Sequence, residues 1–437
     1  MILPESVSQC IAALEEAGYP CYAVGGCVRD ACLGLTPHDF DLCTAALPQT
    51  IRQVFSHRHL VLAGEKHGTV GVVTDSGVIE ITTFRTEGGY RDSRHPDWVR
   101  FVDRIEEDLA RRDFTVNAMA YSPTRGFADP FGGRADLKNH TLRAVGDPRT
   151  RFEEDALRIL RGVRFAVRFG LTVGESTMAA MVETAPLMDH LARERVFEEL
   201  CKLLPLVGAE DLLRFSPILT QVLPELAPMV GFCQHNPHHA YDIFTHTAHV
   251  TAAVPPDLTL RWAALLHDVG KVPTFTLDEA GQGHFLGHAK VSAQMADGAL
   301  LRLKAPTALR QRVLLLIEKH MNPIPSDRKV LRRWLSRLGS ETLEQLLQLQ
   351  EADMGSKGTG IPEDSAQFTQ IRQLMAQIEA ENACLSIKDL AVDGHDLMAL
   401  GYTGKEIGQT LQKLLDQVLD ETLPNEKAAL LNAISHR

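Results

Sequence analysis

The sequence predicts an α+β protein in which a small mixed α/β region precedes a mainly α-helical remainder. Short β-branched runs separated by glycine-containing turns occur in the first ~150 residues, which is typical of strands and hairpins. From residue 153 onward, apolar residues recur at helical spacing almost to the end of the chain. The length of 437 residues and the 44% hydrophobic content fit a globular protein of about two to four domains.

The mixed region is predicted to alternate helices with short strands. Its predicted elements are a helix over residues 5–17, a strand over 21–24 that ends at Gly25-Gly26, a helix over 28–33, a strand reaching Phe40, and a hairpin of strands 70–74 and 78–83. Asp75-Ser76-Gly77 supplies the turn of that hairpin.

The remainder is predicted to be a succession of helices without an internal repeat. The predicted helices cover residues 153–169, 177–188, 195–204, 258–267, 291–303, 308–320, 330–338, 341–352, 404–420 and 425–435. Segments with proline or glycine near 205–208, 224–237 and 355–362 are candidate domain boundaries.

Composition indicates a cytoplasmic protein whose N-terminal half handles anions. The net charge of −11 argues weakly against a nucleic-acid partner, but binding depends on local charge, and arginines cluster over residues 85–112 and 143–168. The eight cysteines show no CxxC spacing, so we expect the free thiols of a reducing compartment. We expect no membrane association, because no apolar run approaches the roughly 20 residues of a span and no secretory signal is recognisable.

Two short motifs suit phosphate and metal binding. Gly25-Gly26 follows a strand and opens a helix that carries Arg29, and glycines let backbone amides approach a phosphate. Asp39 and Asp41 stand at i and i+2, a spacing that on a strand projects both carboxylates to one face. Such oxygen ligands suit Mg²⁺, which can activate a 3′-hydroxyl and stabilise departing pyrophosphate. Either motif alone is more often an ordinary turn or a solvated strand.

With both motifs present, the sequence resembles the DNA polymerase β-type nucleotidyltransferase superfamily, and more narrowly the class II, bacterial-type tRNA nucleotidyltransferases, or CCA-adding enzymes. The matching words are AVGGCVRDACLG, HDFDLCT, IEITTFRTEGGYRDSRHP, EEDLARRDFTVNAMAY, DPFGGRADL and RFEEDALRILRGVRFA, which cover residues 22–169 almost continuously. The resemblance implies an enzyme that adds C, C and A to the 3′ end of tRNA, using CTP, ATP and Mg²⁺.

The same resemblance implies roles for individual residues of the nucleotidyltransferase head. Gly26 and Arg29 would contact the phosphates of the incoming nucleotide, and Arg112 is also expected at the nucleotide. Asp39 and Asp41 would hold the metal ions. Glu80 could be a third carboxylate facing the metals, and the alternative is an exposed strand charge.

A base-reading role is predicted for the helix that starts near Glu154. Asp155 and Arg158 stand at i and i+3, so they would be neighbours on its surface. An Asp accepts a hydrogen bond from the exocyclic amine of C or A, and an Arg donates to the adjacent ring acceptor, whereas U and G reverse this pattern. The resemblance assigns templating to this pair and places Arg161 and Arg164 at the nucleotide. The alternative is a solvated salt bridge.

Residues 86–99 are polar, contain glycine and show no apolar period. They resemble the flexible loop with which the family switches from C to A addition, and members that add only C are expected to lack it. The loop therefore favours a full CCA adder or an A-only adder.

A second metal constellation is predicted in the helical part. The word WAALLHDVGK places His267 and Asp268 together after an apolar run, and with His246 and Asp353 it resembles the H…HD…D pattern of the HD phosphohydrolases. His288 and His320 are the extra positions of a two-metal version. Such ligands suit a divalent transition metal or Mg²⁺. The domain is expected either to hydrolyse phosphate esters or only to dock tRNA.

The predicted organisation is a catalytic head over residues 1–150, a base-reading helical neck over 151–230, an HD-type body over 231–355 and a tRNA-binding helical tail over 356–437. The acceptor and TΨC arm of tRNA is the expected partner, and no protein partner is evident. Two other functions stay open. They are a bacterial poly(A) polymerase and a nucleotide-regulated RNA-binding module with a decayed site, although the intact site residues speak against the second.

Overall fold

The computed structural model describes residues 1–88, 98–236, 240–358, 366–381 and 383–435. The chain forms two compact units, one of Met1–Val207 with Arg214–Ala227 and the other of Gly208–Leu213 with Pro228–Arg437. The first unit contains a β-sheet with helices, and the second is almost wholly helical. This confirms the predicted α+β fold class. No helix in the described ranges is both long and apolar enough to cross a membrane.

The strands are short, and most of them precede residue 130. They are β1 (Cys21–Val24), β2 (Asp41–Thr44), β3 (Leu60–Val61), β4 (Thr69–Thr74), β5 (Gly77–Thr83), β6 (Arg85–Gly88), β7 (Trp98–Phe101), β8 (Ala120–Ser122), β9 (Gly126–Ala128), β10 (Thr141–Leu142), β11 (Thr172–Val173), β12 (Thr276–Leu277) and β13 (Gly283–His284).

Seven strands form the main sheet in the order β3-β4-β5-β2-β1-β8-β9. All its neighbouring strands are antiparallel except β2 and β5, which are parallel. The predicted hairpin is confirmed as β4 and β5, joined by the two residues Asp75 and Ser76, with Gly77 at a φ of 113°. Strands β6 and β7 form a separate antiparallel ribbon at the two ends of the predicted flexible loop. Residues 89–97 of that loop lie outside the described part.

The helices up to Val222 belong to the first unit, except where they include residues of Gly208–Leu213, which lies in the second. The helices up to Val222 are α1 (Glu5–Glu16), α2 (Gly26–Cys32), α3 (Pro48–Val54), α4 (Ile105–Ala110), α5 (Gly133–Lys138), α6 (Pro148–Glu154), α7 (Leu157–Phe169), α8 (Glu175–Thr184), α9 (Arg193–Leu203), α10 (Ala209–Arg214) and α11 (Ser216–Val222).

The second unit packs further helices around a core that includes the fully buried Trp262 and Phe244. Its helices are α12 (Ile243–Ala253), α13 (Leu258–Leu266), α14 (His288–Arg302), α15 (Thr307–Lys319), α16 (Arg328–Leu338), α17 (Ser340–Gly355), α18 (Ala366–Ala380), α19 (Gly394–Ala399), α20 (Lys405–Leu419) and α21 (Lys427–Ile434). Aspartates start several of them: Asp242, Asp257 and Asp327 each accept a hydrogen bond from a backbone N–H of the first turn.

The predicted helix over residues 153–169 needs correction, because it is two helices. Helix α6 starts after Asp147, which accepts a hydrogen bond from the Thr150 N–H, and it ends at Glu154. Asp155 then has an extended backbone, with φ −147° and ψ 102°, and α7 begins at Leu157. The apolar spacing continues across the break, which is why periodicity alone predicted one helix.

Candidate active site

A pair of carboxylates faces outward from neighbouring parallel strands. Asp41 is the first residue of β2 and is the register partner of Glu80 on β5. Their side chains therefore project to the same face from strands roughly 4.8 Å apart. Asp39 lies in the loop before β2, so the expectation that Asp39 and Asp41 share one strand was wrong. The chain turns into the sheet only at Asp41, and all three residues are exposed.

The charges of this cluster repel one another. Although Asp41 is exposed, nearby protein atoms displace part of the water around its carboxylate. This loss of water, and then repulsion from Glu80, raise the pKa of Asp41; Asp39 adds to this and Arg112 opposes it. Like charges on neighbouring strands destabilise a sheet. A divalent cation would remove the repulsion, and carboxylate oxygens are the ligands that Mg²⁺ prefers. The donor set therefore fits Mg²⁺.

Arg112 lies against the glycine turn that opens α2. A Cβ built on Gly25 would stand 2.9 Å from Nη1 of Arg112, and Gly25 has a φ of 76° that favours glycine. Nε of Arg112 is buried and has no hydrogen-bond partner in the described part of the chain. Nη1 is thus the atom of this guanidinium that an anion beside Gly25 and Gly26 would meet.

Arg29 is buried and already committed to protein partners. Its Nη1 donates to Oδ1 of Asn117 at 2.6 Å, and its Nε and Nη2 donate to Oδ1 of Asp30 at 2.8 and 2.6 Å. Its guanidinium also lies 4.3 Å from the centre of the Phe169 ring. Arg29 thus joins α2 to the end of α7, while Gly26 is the first residue of α2.

The two residues predicted to read the base stand at the break between α6 and α7. Asp155 accepts hydrogen bonds from the Leu157 N–H at 3.0 Å and from Nη2 of Arg195 at 2.9 Å. Arg158 donates from Nη1 to Glu154 at 2.7 Å and from Nη2 to the carbonyl of Arg111 at 3.2 Å. The two side chains are therefore fixed by different partners, and the alternative of a mutual salt bridge is not what the structure contains.

The other two predicted arginines of α7 also meet carboxylates. Arg161 donates from Nε and Nη2 to Oδ2 of Asp113 at 2.9 and 2.7 Å, and Arg164 donates from Nε to Oε2 of Glu199 at 2.7 Å. Burial alone would raise the pKa of Asp113, but Arg161 and Asn117 outweigh it and lower that pKa to about 2. The Arg161 side chain is 36% exposed, whereas that of Arg164 is 10% exposed.

The six residues predicted as an HD-type constellation come together in the second unit. His246 lies on α12, His267 and Asp268 follow α13, His288 starts α14, His320 follows α15 and Asp353 lies on α17. The ring nitrogens and carboxylate oxygens form two overlapping groups, His246 with His267 and Asp268, and Asp268 with His288 and His320. Within each group the atoms lie within 4.8 Å of one another. Asp353 Oδ1 is 2.9 Å from Nε2 of His246.

Each of the four histidines turns Nε2 toward this cluster. Their Nδ1 atoms lie 2.6–3.1 Å from backbone carbonyls of Ser356, Ala264, Phe285 and Ile317, for His246, His267, His288 and His320 in that order. A carbonyl only accepts, so Nδ1 carries a hydrogen, and in the neutral imidazole the Nε2 lone pair is directed at the cluster. The Nε2 atoms of His288 and His320 are 3.3 Å apart, a contact of two acceptors that a cation would satisfy.

Buried atoms without hydrogen bonds give the same indication. Within the described ranges, Nε2 of His267 and both carboxylate oxygens of Asp268 lack a hydrogen-bond partner, although the Lys271 ammonium is 2.7 Å from Oδ2. Burial alone would lower the pKa of His267, but Asp268 outweighs it and raises that pKa to about 10. Burial lowers the pKa of His320 to about 4. A metal ion bound by neutral imidazoles and carboxylates fits this donor set.

A cavity of about 480 Å³ opens on the cluster. It is lined by Asp268, His288 and Asp353 from the cluster, by Lys271 and Lys357, and by apolar groups that include Phe285 and Met321. A volume of this size accommodates a small phosphorylated molecule.

Several residues of these sites were not predicted from the sequence. Asp113 and Asn117 stand within the word EEDLARRDFTVNAMAY, where their spacing from Arg112 could have drawn attention. Arg195 and Glu199 lie on α9, 40 and 35 residues from their partners. Nothing in a local pattern could pair residues so far apart.

Comparison with known proteins gives three matching family models. The Poly A polymerase head domain matches residues 21–143, and the RNA- and SrmB-binding site of polymerase A matches residues 170–230. The third, tRNA nucleotidyltransferase domain 2, matches residues 275–434. These matches cover the carboxylate cluster and much of the helical part.

Full-length relatives and a solved structure agree with one another. The CCA-adding enzyme of Levilactobacillus brevis is 36% identical over 97% of this chain and 95% of its own length, and that of Latilactobacillus sakei is 35% identical over 96% and 95%. The crystal structure of the Bacillus stearothermophilus CCA-adding enzyme in complex with CTP aligns with a TM-score of 0.70 and 28% identity over 99% of this chain and 98% of that one. This chain belongs to the CCA-adding enzyme family of tRNA nucleotidyltransferases.

Proposed function

We propose that this chain adds C, C and A to the 3′ end of tRNA, consuming CTP and ATP and releasing pyrophosphate. The proposal rests on the family and on one geometric observation, the register pairing of Asp41 with Glu80. Nucleotidyltransferases of this kind use divalent metals. We assign Mg²⁺ to the site, with Asp39, Asp41 and Glu80 as its protein ligands.

The residues around the carboxylates would orient the triphosphate. Gly25 and Gly26 leave space at the backbone, and Nη1 of Arg112, the atom beside Gly25, would donate to phosphate oxygens. Donors fixed before the reaction stabilise the charge that develops on the departing pyrophosphate. Bound Mg²⁺ would supply Lewis-acid activation of the attacking 3′-hydroxyl.

Base selection is assigned to Asp155 and Arg158. The Asp155 carboxylate would accept from the exocyclic amine of C or A, and Arg158 would donate to the adjacent ring acceptor. U and G carry a carbonyl where the amine stands, so they would place an acceptor against the carboxylate. Arg195 and Glu154 hold the two side chains, which supports a preformed reading site.

The helical part is assigned to tRNA. We propose the head, neck, HD-type body and tail with the boundaries given above, and contact of the tail with the acceptor and TΨC arm through phosphate and shape recognition. A solved Thermotoga maritima CCA-adding enzyme complexed with tRNA shares the fold, with a TM-score of 0.62 at 18% identity. Cys10, Cys21 and Cys43 are buried free thiols, which fits the cytoplasmic location that we propose.

The test uses two tRNA transcripts, one that ends before CCA and one that ends in CC, with CTP and ATP supplied separately and together. Addition of CCA to the first is the expected result. Addition of A to the second alone would make this an A-only enzyme, and a long A tail on either would indicate a poly(A) polymerase. Chelation of Mg²⁺ should stop every addition.

A second activity, hydrolysis of phosphate esters in the HD-type body, is favoured by the convergence of six ligands beside a cavity. Each histidine is oriented by a carbonyl, and the buried Asp268 carboxylate lies 3.2 Å from Nε2 of His267 and 2.7 Å from the Lys271 ammonium. A divalent transition metal is the proposed ligand of this cluster. Lys271 and Lys357 line the cavity and would attract a phosphate.

Purified full-length protein should carry a transition metal, measured by mass spectrometry, and should hydrolyse 2′,3′-cyclic phosphates. His267→Ala should lose both properties, whereas the matched change His395→Ala, at an exposed histidine outside the cluster, should lose neither. Absence of both metal and hydrolysis from the wild-type protein would leave tRNA docking as the role of this body.

A further inference from the structure

Asp108 is a buried carboxylate to which the proposed reaction gives no role. It lies on α4, four residues before Arg112, and its side chain is 0% exposed. A buried carboxylate needs hydrogen bonds from charged or polar donors, because these replace the water that it loses on burial. The partners of Asp108 therefore show what its position accomplishes.

The two oxygens of Asp108 join two parts of the chain, the start of β6 and the segment after α4. Oδ1 accepts from the N–H of Arg85 at 3.2 Å and from Nε and Nη2 of Arg111 at 3.0 and 2.9 Å. Oδ2 accepts from Nη2 of Arg112 at 3.4 Å. Within the described part of the chain, the Arg112 side chain donates its hydrogen bond to Asp108.

The network continues into the ribbon formed by β6 and β7. Oε2 of Glu87 on β6 lies 3.3 Å from Nη1 of Arg111 and 3.3 Å from Nε of Arg85, and the Glu87 side chain is only 10% exposed. Arg111 is thus shared between a carboxylate of the ribbon and the carboxylate that also holds Arg112. The ribbon begins directly after β5, the strand that carries Glu80.

We propose that Asp108 is a positioning residue that holds the Arg112 guanidinium against Gly25 and makes its placement depend on the β6–β7 ribbon. The inference rests on the proposed function, in which Arg112 binds the triphosphate. A displacement of β6 would move Arg85 and Glu87, and Asp108 would pass this displacement to Arg112. Asp108 itself has no contact with substrate in this scheme.

The test is Asp108→Asn in the full-length protein. The steady-state constants are measured for CTP with tRNA ending before CCA and for ATP with tRNA ending in CC. We expect kcat/KM to fall about tenfold or more, alike for both nucleotides, because the triphosphate is common to them. Rejection of UTP should not change. Glu107→Gln, an exposed residue of the same helix, is the matched control.

Thermal unfolding separates positioning from a merely structural role. A lower Tm with unchanged kcat and KM in the folded protein would overturn the proposal. So would a loss confined to CTP or to ATP. A wild-type protein that adds neither C nor A would refute the proposed function and this inference with it, whereas full activity of Asp108→Asn beside an active wild type refutes the inference alone.

Glu87→Gln tests the connection to the ribbon and replaces the first variant if Asp108→Asn does not fold. It should lower kcat/KM in the same direction for both nucleotides, by about two- to tenfold. In the double variant that combines Asp108→Asn with Glu87→Gln, the loss of kcat/KM should be smaller than the product of the two single losses, because both changes interrupt one network. Unchanged kcat/KM in Glu87→Gln, or multiplied losses in the double variant, would contradict the proposed link.

Discussion

The charge of Asp41 destabilises the sheet but is required for the proposed metal binding. Asp41→Asn removes one of the three like charges of the cluster with almost no change in the size of the side chain. We expect transfer to fall by about 10²-fold or more, and Tm without added metal to stay the same or to rise by about 1–3 °C. Single-turnover assays and thermal unfolding measure the two effects. Asp75→Asn in the hairpin turn is the control, and a strongly destabilised Asp41→Asn would contradict the expectation.

Asp155 allows a sharper test of specificity. Asp155→Ala removes the acceptor for the exocyclic amine, so we expect discrimination against UTP and GTP to be lost before turnover is lost. Because a site that hydrogen-bonds a base edge discriminates by unpaired groups, the selectivity ratio should change by about tenfold or more. Misincorporation with single nucleotides measures it, and unchanged rejection of UTP and GTP would disprove the assigned role.

Partners of single residues were the least predictable part of the site. The residue types in the motifs identified Asp41, Arg112 and Asp155, because their chemistry is local. Their neighbours depend on which elements pack together, as with the ion pair of Asp155 and Arg195 across 40 residues.

At the scale of elements, α7 is attached to the segment after α4 by the ion pair of Arg161 and Asp113. Since the pKa of Asp113 is lowered to about 2, its ionised form stabilises the fold fully above its ordinary pKa of 3.8, and this contribution is lost as the pH falls toward 2. The free energy of unfolding of Asp113→Asn should therefore be about 2 kcal/mol lower than that of the wild type near pH 6.

The difference in the free energy of unfolding between the wild type and Asp113→Asn should become smaller as the pH is lowered from 4 toward 2. Urea unfolding at pH 6, 4 and 3 measures it, with the exposed Asp103→Asn as the control. A difference that stays constant or grows over this range would exclude the lowered pKa as its cause.

Periodicity and turn chemistry predicted most of the longer helices and one hairpin, but not α12, α18 or most of the short strands. The helices predicted from residue 195 onward have ends within three residues of those observed. The hairpin of β4 and β5 was likewise predicted from its β-branched runs. Short helices such as α3 and α4 were missed, because six or seven residues give too few repeats of an apolar pattern.

At the scale of the whole molecule, the residues assigned to the nucleotide lie in the first compact unit. That unit has its own core, in which the ring of Phe114 lies 6.3 Å from that of Phe152 and 6.0 Å from that of Phe165. A fragment of residues 1–230 should therefore fold and bind CTP within about threefold of the full-length affinity. It should not extend tRNA, because the proposed tRNA-binding tail is missing.

Calorimetry with CTP and a primer-extension assay test this expectation, and the fragment carrying Asp155→Ala is the control for base-dependent binding. Extension of tRNA by the fragment at the full-length rate would show that the tail is dispensable. A folded fragment without CTP affinity would show that residues beyond 230 complete the nucleotide site.

The parallel alignment of β2 with β5 has a consequence for how such a chain can vary. Side chains alternate between faces along a strand, so one residue inserted between Gly77 and Glu80 would turn Glu80 away from Asp41 and toward the interior. The same insertion would turn Ile81 outward. This stretch should therefore tolerate substitutions far better than insertions or deletions of an odd number of residues. Related chains should keep its length fixed even where their sequences diverge.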